Sequence, residues 1–135
     1  MIYVVIDTNV FVSAYLTHNF NSATSKIVDS LFKGKIIPLY NEEIMAEYKE
    51  VLSRPHFDIS KDERDALFEY IRKKGVEAER TSANTLFIDE SDRVFYEVAL
   101  SEEDSFLVTG NLKHFPVDSR VVTPAQMLQI IEEQL

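Results

Sequence analysis

Hydrophobic positions along this chain fall into short solid runs and longer periodic stretches, and the two kinds alternate. Ile2-Tyr3-Val4-Val5-Ile6 is apolar throughout and rich in β-branched residues, the pattern of a strand buried on both faces. Residues 36–40 predict a second strand, and Pro38 within it argues for an edge or irregular position. Phe106-Leu107-Val108 predicts a third strand and Val121-Val122 a short last one. Between these runs apolar residues recur at helical spacing. Asn21 or Ser22 is placed to cap a helix reaching Phe32, with Gly34 as its left-handed stop. Asn41 caps a helix whose apolar face is Ile44, Met45, Tyr48, Val51 and Leu52, with Pro55 beyond its end. Ser60 and Glu63 form a capping box ahead of Leu67, Phe68, Tyr70 and Ile71, and Gly75 follows. Residues 86–88 are a short apolar piece entering an acidic turn, after which Ser91 is the expected cap for Val94, Phe95, Val98 and Ala99. Thr123-Pro124-Ala125-Gln126 opens the last helix with cap, first-turn proline and capping-box glutamine.

Strands alternating with helices predict an α/β sandwich around a mostly parallel sheet. The 135 residues carry no internal repeat or linker, so one domain over 1–135 is expected, and 45% hydrophobic residues supply its core. Cysteine is absent, which excludes disulfides, thiolate metal sites and a cysteine nucleophile. No apolar stretch approaches the roughly 18 residues that span a bilayer, and the start lacks a signal-peptide pattern. A cytoplasmic protein without membrane attachment is expected. The net charge of −9 argues against a protein that coats nucleic acid. It leaves room for an enzyme whose carboxylates are neutralised locally by a metal.

In open parallel sheets active residues gather beyond the carboxyl ends of strands. Asp7 follows the first run directly, Asn111 follows Phe106–Val108 by three residues, and Asp92 opens a helix after residues 86–88. Glu47 is a fourth candidate. With Ile44 as zero and ~100° per residue, Tyr48, Val51 and Leu52 fall at about 40°, −20° and 80°, and Glu47 at about −60°, on the border of the apolar stripe. Alone, each acid is an ordinary turn former, helix-start acid or solvated charge. Together, three carboxylates and an amide converge on one sheet edge. Gathered like charges repel unless something positive sits among them, and Mg²⁺ or Mn²⁺, hard and oxygen-liganded, suits that role.

At this point the chain resembles a family. The strand ending in Asp7-Thr8-Asn9-Val10, the helix from Glu43 to Leu52 followed by Arg54-Pro55, the stretch from Asp92 to Ala99, and Leu107-Val108-Thr109-Gly110-Asn111 resemble, in order and spacing, the motifs of PIN domains. The nearest subgroup is the VapC-like toxin component of prokaryotic toxin–antitoxin pairs. The resemblance implies a three-layer α/β/α sandwich and a metal-dependent endoribonuclease acting on single-stranded RNA. It implies Mg²⁺ or Mn²⁺ as cofactor, an antitoxin protein as partner, and a homodimer. The family's acids carry over onto Asp7, Glu47 and Asp92, as catalytic and metal-binding residues. The fourth position, usually aspartate, matches Asn111, whose amide oxygen can ligate a hard cation but brings one negative charge fewer. Thr8, Asn9 and Thr109 match supporting polar positions.

Lys49, Arg54, Arg93 and Lys113 flank these motifs and are candidates for gripping phosphates. His114 and Phe115 are placed either to stack on unpaired bases or, for Phe115 with Pro116, to anchor their loop to the core. A competing reading keeps the fold but makes the acids structural, in a catalytically inactive protein-binding module. A third, a phosphatase using Asp7 as nucleophile, needs a second acid close by, and Asn9 stands there instead.

Overall fold

The computed structural model describes residues 1–134, so Leu135, the last residue of the expected domain, lies outside the described residues. The strands are β1 (Tyr3–Ile6), β2 (Ile37–Tyr40), β3 (Val76–Glu77), β4 (Phe106–Val108) and β5 (Val121–Val122). The helices among the described residues are α1 (Thr8–Leu16), α2 (Ala23–Phe32), α3 (Glu42–Leu52), α4 (Lys61–Lys74), α5 (Arg93–Leu100) and α6 (Pro124–Glu133). All strand pairs are parallel, in the order β3-β2-β1-β4-β5. Helices cover both faces of the sheet, giving three α/β/α layers. Val4, Val5, Leu107 and Val108 are fully buried, as the interior positions of β1 and β4 require.

Pro38 does not make β2 an edge. The Ile37 N–H donates to Ile2 O on the β1 side at 2.8 Å, so by alternation the nitrogen of Pro38 faces the other neighbour. There the ladder with β3 begins one residue later, pairing Leu39 with Val76, and no donor is missed. Gly75 approaches the Pro38 carbonyl so closely that a Cβ would lie 2.7 Å from its oxygen. That position needs glycine for space.

Ser22, Asn41, Ser60 and Thr123 cap α2, α3, α4 and α6 through their side chains, and Gly34 closes α2 with φ +77°. Ser91 is not a cap. Asp89 accepts from Ser91 N–H and opens a single 3₁₀ turn over Glu90–Asp92, and α5 follows with Asp92 as its cap residue. Of residues 86–88 only Phe87 turns inward, against Tyr96 and Phe115, while Leu86 and Ile88 are exposed. α6 packs on α2, which brings Met127 and Ile131 into the same core as β1 and β4. No helix among the described residues is long and apolar enough to cross a membrane.

From β1 the chain steps outward through β2 to β3, then returns to the opposite side of β1 for β4 and β5. Strand order therefore reverses between β1 and β4. An open parallel sheet has a crevice at such a point, outside the carboxyl ends of its strands.

Candidate active site

The carboxyl ends of β1 and β4 carry Asp7 and the segment Thr109-Gly110-Asn111. Asp7 N–H extends the ladder by donating to Val108 O at 2.9 Å. Asp7 then stands as the cap residue of α1 with extended backbone, yet its carboxylate makes no capping bond. It turns instead to Thr109, whose hydroxyl donates to Oδ2 at 2.8 Å. The same hydroxyl accepts from Asn111 N–H at 3.0 Å, so Asn111 is tied to Asp7 through the Thr109 oxygen. Asn9 Oδ1, in the first turn of α1, accepts from Gly110 N–H at 3.5 Å.

Glu47 arrives from α3. The helix is pinned to the β1 end twice: Thr8 Oγ1 donates to Glu47 Oε2, and the buried Tyr48 hydroxyl donates to Ile6 O. Phe11 meets the Tyr48 ring edge-on at 5.0 Å and fills the space behind this corner. Asp92 stands at the start of α5, its Oδ2 3.1 Å from Nδ1 of His114.

The three acids form one electrostatic unit. Burial pushes the Asp7 carboxyl up to about 6, and the charges of Asp92 and Glu47 push the same way against the Thr109 hydrogen bond. Burial also raises Glu47, with Asp92 and Asp89 adding to it and the Thr8 hydroxyl opposing. Asp92 is raised by burial and by Asp89, with His114 opposing. Three carboxylates whose charges bear on one another, each disfavoured in its charged form, are the kind of group a nearby cation would stabilise. The donors are all oxygen, which fits Mg²⁺ or Mn²⁺ and not a soft metal. Among the described residues, no three acid or histidine side chains are drawn tightly enough together to form a metal shell as they stand.

The sequence profile of PIN domains matches residues 3–113. The chain belongs to the PIN domain family. That match takes in Asp7, Glu47, Asp92 and Asn111, and it ends just before β5 and α6. PIN domains are generally nucleases and generally work with divalent metal ions. No curated protein matches this PIN domain.

The basic residues expected at the site divide. Arg93 is spent inside the chain. Its guanidinium donates to Glu90, to Ala83 O at 2.6 Å and to Thr85 O at 2.8 Å, and lies 4.7 Å from the centre of the Phe87 ring. It holds the irregular segment ahead of Asp92 with four of its five N–H donors, and Glu97 lies 3.7 Å from Nη1. Arg54 pairs with Glu50 at 2.9 Å on the surface. Lys49 and Lys113 are exposed. Phe115 is buried against Phe87 and anchors its loop, which removes it as a base-stacking surface.

Sequence reasoning did not single out Asp89, whose charge bears on both Glu47 and Asp92. Nor did it find Tyr48 as a support: a tyrosine on an apolar helix face reads simply as core. Its neighbour Glu47 was the available signal.

Proposed function

We propose that this PIN domain hydrolyses phosphodiester bonds of single-stranded RNA with Mg²⁺ or Mn²⁺, as the toxin component of a toxin–antitoxin pair. The observation that carries the reading is the buried Asp7 carboxylate at the strand-order reversal, on which the charges of Asp92 and Glu47 both bear. Asp7 and Asp92 would be the principal ligands in this reading, with the Asn111 amide oxygen beside them and Glu47 holding the ion or activating the water. When bound, the ion supplies Lewis acidity and lowers the pKa of a coordinated water. Thr109 keeps Asp7 aimed at the crevice through Oδ2, leaving Oδ1 for the ion. Thr8 occupies Glu47 Oε2, so Oε1 remains to orient the attacking water and take its proton. Thr8, Asn9 and Thr109 bind no substrate and fix the geometry of the acids. The exposed Lys49 and Lys113 contact the RNA backbone.

In this reading the 135-residue chain is a single domain, works as a homodimer and is held in check by an antitoxin protein. Light scattering reports the dimer, and a small adjacent reading frame with a DNA-binding start is the genetic sign of the antitoxin.

The test is cleavage of end-labelled single-stranded RNA. Cutting is expected with Mg²⁺ or Mn²⁺ and is expected to stop in EDTA. Absence of cutting in either metal counts against the enzyme. Asn111 gives the inactive binding-module reading its main support, because it subtracts one charge from the site. Asn111→Asp separates the two: restoring the charge is expected to tighten Mn²⁺ binding about tenfold. Unchanged affinity places residue 111 outside the site.

A further inference from the structure

Each of the three acids accepts from one neighbouring side chain, through one oxygen. Thr109 holds Asp7 Oδ2 at 2.8 Å and Thr8 holds Glu47 Oε2. The third contact of this kind runs from His114 Nδ1 to Asp92 Oδ2 at 3.1 Å. With Asp92 ionised the carboxylate only accepts, and the contact then needs the proton on Nδ1. Asp92 has particular need of a holder. It begins α5 with its backbone already helical and makes no capping bond, so its own helix does not fix the carboxylate. His114 ends the 3₁₀ turn Leu112–His114, and the next residue, Phe115, is buried against Phe87. The ring is therefore delivered from an anchored turn, even though its side chain is 39% exposed.

We infer that His114 is the positioning residue for Asp92, as Thr109 is for Asp7. The inference rests on the metal-nuclease reading given above. One short segment after β4 then orients both principal acids, Asp7 through Thr109 and Asp92 through His114. Asp7 and Asp92 stand on different elements, but the side chains that hold them stand five residues apart, Thr109 after β4 and His114 on the 3₁₀ turn that follows. Partners of this kind do not touch the metal, yet their loss typically weakens metal binding or activity by about 10–100-fold.

The test compares three substitutions at this partly exposed position. His114→Asn keeps a donor at the place of Nδ1, His114→Gln moves it one bond outward, and His114→Ala removes it. Mn²⁺ affinity is measured without RNA, alongside kcat, KM and the melting temperature in EDTA. Wild-type protein is expected to bind Mn²⁺. His114→Ala and His114→Gln are expected to bind it at least about tenfold more weakly and to lose kcat with little change in KM. His114→Asn is expected to restore both to within a few-fold, and all three variants to melt close to wild type. Ala and Asn variants that bind Mn²⁺ like wild type but share a raised KM would overturn the inference and make His114 a substrate contact. Failure of the underlying reading looks different: the unsubstituted protein itself neither binds Mn²⁺ nor cuts RNA, and the inference falls with it.

Discussion

Asp7→Asn is expected to abolish RNA cleavage and, in the same protein, to raise the melting temperature measured in EDTA. Both effects come from one buried carboxylate. The folded chain pushes the Asp7 carboxyl up to about 6 from an ordinary 3.8, by burial first and then by Asp92 and Glu47. The sign follows from which state releases its proton first. Between these two values the unfolded chain has lost the proton and the folded chain still holds it, so stability falls as pH rises from about 4 to about 6. Above that window the penalty is complete, about 3 kcal/mol for a shift of this size. Asparagine removes the charge and keeps an oxygen to accept from Thr109. At pH 7 without metal the variant is expected to melt up to roughly 10 °C higher. With excess Mn²⁺ the order narrows or reverses, because ligand binding stabilises only the protein that binds it. Cleavage is expected to fall at least about a hundredfold, since an essential metal group supplies several kcal/mol of transition-state stabilisation. Equal melting in EDTA, or undiminished cleavage, would sink this account of Asp7.

Glu97→Ala is expected to cost about 3 kcal/mol of stability by loosening the segment ahead of Asp92. Glu97 is buried in α5, and burial alone raises its carboxyl; the Ala83 amide, Arg80 and Arg93 outweigh it and hold the group below the ordinary glutamate range. It accepts from Arg80 Nε at 2.8 Å and from Ala83 N–H at 2.9 Å, with Arg93 at 3.7 Å. Removing it orphans the amide and leaves two guanidinium groups short of a counter-charge. Breaking a buried pair from one side typically costs about 3–5 kcal/mol, and the lower end applies because Arg80 is about one-third exposed and keeps Glu43. The melting temperature is expected to drop by roughly 10 °C and the Ala83 amide to lose its hydrogen-exchange protection. A loss under 1 kcal/mol with Ala83 still protected would show that the segment ahead of Asp92 is held by other contacts.

The sequence makes β1 and β4 legible because solid apolar runs have few uses outside a buried parallel strand. The caps at Ser22, Asn41, Ser60 and Thr123 are legible because each side chain satisfies its own helix locally. α1 is harder to see: Thr8–Leu16 mixes β-branched and aromatic residues all round, and only Thr8, Val10 and Phe11 are buried. β3 has two residues, both exposed, and leaves no apolar signal. Pro38 misleads because which neighbour a nitrogen faces depends on register. In the crevice, Asp7, Glu47 and Asp92 could be proposed from strand ends and helix phase. The roles of Arg93 and His114 could not, since their partners are carbonyls of an irregular segment and a carboxylate 22 residues away.

A crystal grown with Mn²⁺ and measured at an anomalous wavelength tests the central claim most directly. The account predicts an anomalous peak in the crevice between β1 and β4, bounded by the carboxylates of Asp7, Glu47 and Asp92 and absent from crystals of Asp7→Asn. Full-occupancy Mn²⁺ elsewhere on the molecule, with that crevice empty at neutral pH, would contradict it.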